Sequence, residues 1–552
     1  MQIETAWVRP PPQIGGLDHL AVQAPCINIY GRMLPGITNV TDRARYYSFY
    51  PWLIWAFDQS GRTKFDRDFI ERFRRADCLF CLIALRHAHV SPDSETEDHA
   101  AAIVGSDTLK EVAYNLGNQG TVRLSDYSLR EGAKKRYFAS HLGGLGQYYF
   151  GVLRELAILD GDTASGVRYT KQIGKLIAEQ MDHGVNRELF LKVVDSDVVS
   201  TAELDALHGF CPCQLAHRPD EKIILGELFF VRGAFYNTEA LPRRRTLQSI
   251  LQLAAMLGEE GEDISESVFR ACAYTGSLPS GRPWTIPETL AGNREKWAVY
   301  ARNELLSLAV QGLFYAVLDG YESSGLRFHT SAEIVNWFLE QTEAQKALEE
   351  LGPERTFAEG VCQSSTWLAE VTSWRYEEAH EVQLAEQIAM LSRAPKSAEN
   401  RQAIITASLR TLLALASRKT ASASAYADLV FDRDYFSYYP INLQSFAFHS
   451  ANTWASLSMP EVLRWLLVNW GIETHLRVAL RKLRSQARST FRIRPSDWGM
   501  EVIDIPAAVH TRPRFNQALR ILKDIGALER TPVGAWQPSS FGTAMLELGD
   551  AP

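Results

Sequence analysis

The chain has 552 residues, of which 46% are hydrophobic and 22% charged, and its formal net charge is −7. This length exceeds what a single hydrophobic core supports, so we expect two to four domains. The composition excludes a disordered or fibrous chain. The sequence has no run of about 18 apolar residues, so no transmembrane helix is expected.

The N-terminal residues and the cysteines bear on the cellular compartment. The opening sequence MQIETAWVRPPPQIGG lacks the basic segment and apolar run of a signal peptide. The seven cysteines are scattered along the chain, which favours reduced thiols where no secretion signal is present. We therefore expect a cytoplasmic protein with no membrane partner.

Residues 1–160 are predicted to form an N-terminal helical domain. After a Pro- and Gly-rich opening, a helical pattern begins near Asp42, and Pro51 indicates a kink or a boundary within it. In residues 65–89 apolar side chains repeat at steps of three and four, which predicts an amphipathic helix.

Residues 161–420 are predicted to form a central helical domain. Thr330 and Glu333 have the spacing of a capping box, a specific signal for the start of a helix. The Ala- and Ser-rich residues 418–429 are the best linker candidate, and a C-terminal domain is expected over residues 430–552. Strand-like alternation is scarce outside the last hundred residues, so the predicted fold class is mainly α.

A group of arginines and aromatic residues stands out in LPGITNVTDRARYYSFYPWLIWAF, residues 34–57. Arg43 and Arg45 precede the aromatic run, and arginines beside aromatic rings are candidates for contact with an anion or a base. The alternative is a buried aromatic core in which the arginines bond to buried carbonyls or acidic helices. The pattern P-G-x-[ST]-x-x-x-x-R-x-R-Y resembles the opening of an uncharacterised bacterial family encoded near phage-defence genes.

The segment HGFCPCQLAH contains a candidate zinc site. His208, Cys211, Cys213 and His217 are all zinc-competent residue types within ten positions. The alternative is a turn that contains reduced structural cysteines. No other cofactor is predicted.

A second Cys and His group follows from the predicted helix at residues 65–89. Cys78 and Cys81 are followed there by His87 and His89. We interpret the two cysteines as small hydrophobic residues on an apolar helix face, not as zinc or redox sites.

The region from Arg477 to Arg530 is basic, although the whole chain is acidic. It has twelve Lys and Arg residues against five acids, a local balance of +7. Such asymmetry favours a polyanionic partner, because phosphate contacts dominate the affinity for nucleic acids.

The order of elements in this region resembles a winged helix-turn-helix. Two predicted helices (459–471 and 473–487) precede a strand-like segment, a helix in RPRFNQALRILKDIGALER, a Gly- and Pro-containing β-wing and a short last helix. The resemblance implies that this helix could read base edges while neighbouring basic residues contact phosphate. The candidate nucleic-acid contacts are Arg484, Arg488, Arg492, Arg494, Arg512, Arg514, Asn516, Gln517 and Arg520.

The sequence contains no Gly-x-Ser-x-Gly elbow, no HExxH motif and no convincing nuclease core, so no catalytic residue is predicted. The leading hypothesis is a non-enzymatic, DNA-binding or DNA-sensing adaptor of a bacterial complex, plausibly in phage defence, with an ATPase or nuclease supplied by another chain. One alternative is a structural subunit whose winged helix docks on a partner, as kleisin-type subunits dock on an ATPase. A zinc-dependent enzyme using His208, Cys211, Cys213 and His217 is the other.

Overall fold

The computed structural model describes residues 18–62, 64–91, 99–117, 120–129, 131–133, 135–367, 381–418, 439–483 and 489–549. Within these ranges helices predominate and strands are few and short, which confirms the predicted mainly α class. No helix in the same ranges combines the length and the apolar character that crossing a bilayer requires. The proposed linker, residues 418–429, lies almost entirely outside the described residues.

The first half of the chain contains helices α1 to α11. They are α1 Ala24–Met33, α2 Tyr46–Gln59, α3 Arg67–Val90, α4 Ser106–Asn115, α5 Ser125–Ser128, α6 Phe150–Glu155, α7 Ile173–Asp182, α8 Arg187–Ser196, α9 Thr201–Ala206, α10 Pro219–Phe229 and α11 Leu241–Glu259.

The second half contains α12 to α23. They are α12 Glu266–Thr275, α13 Glu288–Ser324, α14 Ser331–Leu339, α15 Thr342–Glu349, α16 Phe357–Trp367, α17 Glu381–Leu391, α18 Ala398–Ser417, α19 Leu443–Phe448, α20 Met459–Trp465, α21 Glu473–Leu483, α22 Phe515–Asp524 and α23 Ser540–Leu546.

The strands of the described residues form two-stranded antiparallel ladders, β1 with β4, β2 with β3, β5 with β6 and β7 with β8. They are β1 Thr121–Arg123, β2 Leu159–Asp162, β3 Gly166–Tyr169, β4 Val198–Ser200, β5 Ile493–Ser496, β6 Gly499–Val502, β7 Leu528–Arg530 and β8 Trp536–Pro538.

The chain divides into two compact units. One unit contains Met1–Tyr30 and Ser267–Pro513, and the other contains Gly31–Glu266 and Arg514–Pro552. These divisions fall at other positions than the boundaries predicted near residues 160 and 420–430. We call them the 267–513 unit and the 31–266 unit.

The 267–513 unit is built on α13, a 37-residue helix that is buried along most of its length. It packs against α17, α18 and the π-helix Leu466–Ile472. The capping box that begins α14 is present as predicted, because the Thr330 side chain accepts from the backbone of Glu333 and the Glu333 side chain accepts from the backbone of Thr330.

The core of the 31–266 unit is formed around α2, in which every residue from Tyr46 to Phe57 is buried. The helix runs through Pro51, so the boundary considered there is absent. Helix α3 is 24 residues long, as its apolar spacing predicts, and the Asp66 carboxylate accepts from the Phe69 N–H at its first turn.

The elements predicted for the C-terminal region are present, but a winged helix is not confirmed. Helices α20 and α21 and the β5–β6 hairpin belong to the 267–513 unit, whereas α22, the β7–β8 hairpin and α23 belong to the 31–266 unit. Helix α22 ends where Gly526 predicts, and the φ angle of Gly526 is +62°. Within its unit α22 packs on α11 and on the 3-10 turn Pro212–His217.

Candidate metal centre

Four side chains of the 31–266 unit converge on one point, and the last two turns of α3 supply the first of them. His87 follows the buried residues Phe80 and Ala84 at steps of four and three, so it lies on the same inward face of the helix. His89 lies off that face and is exposed. The second ligand candidate, His99, is buried at the start of the next described segment.

The other two side chains come from the turn after α9. Cys211 has an extended backbone (φ −60°, ψ 138°) between the 3-10 turns His208–Phe210 and Pro212–His217. Its N–H donates to the His208 carbonyl at 2.8 Å, and its carbonyl accepts from the Gln214 N–H at 3.0 Å. These local bonds hold Cys211 and Cys213 in one tight turn.

Three of the distances between donor atoms are close to the edges of a tetrahedral metal site. The two Nδ1 atoms of His87 and His99 are 3.1 Å apart, Cys211 Sγ is 3.5 Å from His99 Nδ1, and Cys213 Sγ is 3.4 Å from His87 Nδ1. All four ligand atoms lie within 4.8 Å of one another. Ordinary zinc bond lengths give N to S edges of about 3.6 Å and N to N edges of about 3.3 Å in a tetrahedron.

The two thiols differ in their electrostatic surroundings. A hydrogen bond from the Cys211 thiol, helped by one from His99, outweighs burial and lowers the pKa of Cys213 to about 3. Burial raises the pKa of Cys211 well above its usual value. The turn therefore already stabilises one thiolate, the form that binds metal ions.

The zinc site predicted from the sequence and the cluster in the structure share Cys211 and Cys213, but their histidines are different. His208 is exposed, and its Nδ1 lies 2.9 Å from the Asp205 carbonyl, although its ring is 5.7 Å from the ring of His87. His217 is exposed at the end of its 3-10 turn. The structure brings His87 and His99 to the cysteines in their place.

Sequence reasoning missed His87 and His99 because of their distance along the chain. Cys213 is 126 residues from His87, and Cys211 is 112 residues from His99. A signal was present for His87, since it follows the apolar residues Phe80 and Ala84 at helical spacing in the helix that also contains Cys78 and Cys81. Those two thiols are buried, and burial raises the pKa of each.

The structure places Arg43 and Arg45 in the interior of the 31–266 unit. Arg43 bonds both carboxylate oxygens of Asp524, at 3.0 and 2.8 Å, and Arg45 bonds both of Glu221, at 3.2 and 2.8 Å. Both arginine side chains are at most 1% exposed. The Nε and Nη2 groups of both arginines therefore bind protein carboxylates. This arrangement agrees with the alternative of a buried aromatic core, in which the arginines bond to buried acceptors.

The outer face of α22, the candidate recognition helix, bonds to the segment before α2. Arg520 Nη1 lies 2.6 Å from Asp42 Oδ1, and Gln517 donates to the same carboxylate and to the Asn39 carbonyl. These polar groups therefore already have partners within the 31–266 unit.

The first residues of α22 are held in the same way. Arg514 is the N-cap, with a left-handed φ of +62°, and its guanidinium donates to the carbonyls of Leu34 and Ile37. Asn516 donates to Glu266.

The other candidate nucleic-acid contacts belong to the 267–513 unit. Arg492 pairs with Asp504 at 2.5 Å and Arg494 pairs with Glu501 at 3.3 Å, so each arginine has an acid on the same hairpin or beside it. Arg512 is exposed. The remaining two, Arg484 and Arg488, lie outside the described residues.

No family model, no curated protein and no solved structure matches this chain. The feature of this chain that points to a function is therefore the convergence of the donor atoms of His87, His99, Cys211 and Cys213.

Proposed function

We propose that this chain is a zinc-binding protein in which His87, His99, Cys211 and Cys213 form a structural metal centre. The observation that carries the proposal is the convergence of all four ligand atoms within 4.8 Å. Two imidazole nitrogens and two sulfurs form a donor set that binds zinc in preference to the hard cations Mg²⁺ and Ca²⁺.

The closed ligand set supports a structural ion more than a catalytic one. Catalytic zinc sites keep one position for water or substrate, whereas four protein ligands complete the tetrahedron. An ion here would join the end of α3 and the segment at His99 to the turn at Cys211 and Cys213. It would stabilise the folded unit because the unfolded chain does not hold the four ligands together.

Metal analysis of the purified full-length protein tests the proposal. We expect about one zinc ion per chain, and we expect Cys213→Ser and His99→Ala to lose it, because each removes one of four ligands. The matched controls are His208→Ala and His217→Ala, which remove zinc-competent residues from the same turn and should retain the metal.

Two results would contradict this assignment. The first is that the wild-type protein contains no zinc, even when it is purified without chelators and then dialysed against zinc. The second is that the His208 or the His217 variant loses zinc. That result would show that a histidine of the turn is a ligand, as the sequence alone predicts.

The wider role remains a separate proposal. A DNA-binding or DNA-sensing adaptor with an ATPase or nuclease partner is supported by the charge of residues 477–530 and by the order of their elements. Docking on an ATPase complex has the same support. Of the candidate contacts in the described residues, Arg494, Arg512 and Asn516 are exposed, and we take the two arginines as the residues through which a polyanion would bind.

A further inference from the structure

One short segment, Asp42 to Arg45, contacts the backbone at one buried ligand position and near the other. Arg45 Nη1 donates to the carbonyl of Cys211 itself at 2.5 Å. Arg43 Nη1 donates at 2.9 Å to the carbonyl of Ala101, two residues after His99. Two features that are far apart in the sequence, the arginine motif and the cysteine turn, therefore meet at the metal centre.

Each arginine is fixed by a carboxylate on its other edge. Nε and Nη2 of Arg45 bond Glu221, which also accepts from Ser48 Oγ at 2.6 Å. Nε and Nη2 of Arg43 bond Asp524. Because a guanidinium is planar, the bidentate acid sets the direction in which Nη1 points.

The metal centre has a particular need for such support at His99. The outer ring nitrogen of this residue, Nε2, is buried and has no hydrogen-bond partner among the residues that the structure describes. In most metal sites that nitrogen donates to a carboxylate or carbonyl, which fixes the ring. The backbone of this segment, which Arg43 contacts at Ala101, is therefore a means of positioning His99.

We propose that Arg43 and Arg45 are positioning residues of the metal centre, which preorganise His99 and Cys211 for zinc. This inference rests on the proposed zinc site. Burial of both guanidinium groups excludes water that would compete for the two carbonyls. Their contribution is to hold the ligands at coordination distance before the ion arrives.

A purely structural role needs to be distinguished, since other buried arginines also bond carbonyls. Arg243 is fully buried in the same unit. It donates to the carbonyls of Leu228 and Phe229, the last two residues of α10, and to that of Pro35, before α2. None of these three acceptors lies in a ligand segment. Arg243 is therefore a matched control for the loss of a buried guanidinium.

The experiment measures zinc affinity of the full-length protein by competition with a chromophoric chelator. Arg43→Lys and Arg45→Lys keep a positive charge beside Asp524 and Glu221. A lysine lacks the planar guanidinium, which bonds the carboxylate and the backbone carbonyl at the same time. We expect each to weaken zinc binding about 10- to 100-fold, the usual effect of removing an outer-shell partner. Arg243→Lys should stay close to wild type.

A cobalt-substituted sample adds a readout of ligand geometry. Co²⁺ is a tetrahedral probe of such sites, and its visible absorption depends on the arrangement of the ligands. We expect the band shape to change in Arg45→Lys and to stay unchanged in Arg243→Lys.

The outcomes separate this inference from the zinc proposal itself. Wild-type protein that binds no zinc overturns both. Zinc binding with wild-type affinity in Arg43→Lys and Arg45→Lys, or an equal loss in Arg243→Lys, overturns the positioning role alone. Where Arg45→Lys fails to fold, Ser48→Ala decides, because it removes only one bond to Glu221: weaker zinc binding supports the role and wild-type affinity overturns it.

Discussion

The arginines of the segment Asp42 to Arg45 and those of the basic region 477–530 differ in their surroundings. Arg43 and Arg45 are at most 1% exposed and each has a bidentate carboxylate partner. By contrast, the Arg494 side chain is 51% exposed and that of Arg530 is 39% exposed. An ion pair exposed to water adds little to the stability of the fold. Removing one partner of a buried pair destabilises the fold strongly, because it leaves the other charge without solvent or partner.

This difference shows why the count of charges was a poor guide to where the arginines matter most. The basic region stands out in the sequence because it carries a local excess of +7. The two arginines that reach the candidate metal centre come from a segment whose charge is unremarkable. Their importance comes from burial and from the direction of their N–H groups.

The largest effect is expected from breaking a buried pair. Arg43→Met leaves the Asp524 carboxylate buried without its guanidinium, which should destabilise the folded protein by about 3–5 kcal/mol. Urea unfolding of the variant and wild type at neutral pH measures the difference.

The double variant Arg43→Met/Asp524→Leu is the control for that measurement. It removes both charges, so it should recover part of the lost stability. If Arg43→Met changed the free energy of unfolding by less than about 1 kcal/mol, the buried pair would contribute no more than an exposed one. The two groups of arginines would then not differ in their effect on stability.

A half-buried histidine in the 267–513 unit gives an intermediate case. His510 Nδ1 lies 3.1 Å from Glu304, and its Nε2 lies 3.1 Å from Glu386. Burial lowers the pKa of His510, but the hydrogen bonds to Glu304 and Glu386 outweigh burial and raise that pKa above its ordinary value. The imidazolium is thus stabilised between two carboxylates.

This arrangement predicts a loss of stability as the pH rises. Because the folded pKa of His510 is raised, its contribution is fully present below the unfolded value of about 6.5 and disappears as the pH passes the folded value. His510→Gln should cost about 1–3 kcal/mol near pH 6 and remove this part of the alkaline decline.

Urea midpoints of wild type, His510→Gln and the exposed-residue control His183→Gln between about pH 6 and pH 9 check this. The control should follow wild type at every pH. An alkaline decline of full size in His510→Gln would assign the pH dependence to other groups.

The smallest effect on stability is expected at the surface. Arg494 pairs with Glu501 at 3.3 Å across the β5–β6 ladder, and both side chains are largely exposed. Arg494→Ala should therefore change the free energy of unfolding by less than about 1 kcal/mol.

The same variant tests the DNA proposal. If Arg494 contacts phosphate, Arg494→Ala lowers the dependence of log affinity on log salt by about one. DNA affinity that does not depend on salt, or a slope equal to that of wild type, would count against this contact.

Much of the secondary structure could be predicted from local patterns. The apolar spacing of residues 65–89 predicted α3, Thr330 and Glu333 predicted the start of α14, and Gly526 predicted the end of α22. These features depend on helical periodicity and on hydrogen bonds between residues three or four positions apart, so a single stretch of sequence contains the information.

The metal centre was predicted only in part for the same physical reason. Cys211 and Cys213 lie in one turn, and their residue types and spacing identified them. His208 and His217 were chosen because they are near in sequence, but they are exposed. Nearness in sequence does not decide which imidazole faces inward, since that depends on the face of the helix that packing buries.

By itself the sequence determined the helical class, the positions of several helices and the presence of a cysteine turn whose residue types bind metal. The tertiary structure alone decided that His87 and His99 meet that turn from 126 and 112 residues away, and that Arg43 pairs with Asp524 across 481 residues. Pairings of this kind depend on how buried helix faces pack, because a charge or ligand removed from water must find its partner within the same interior.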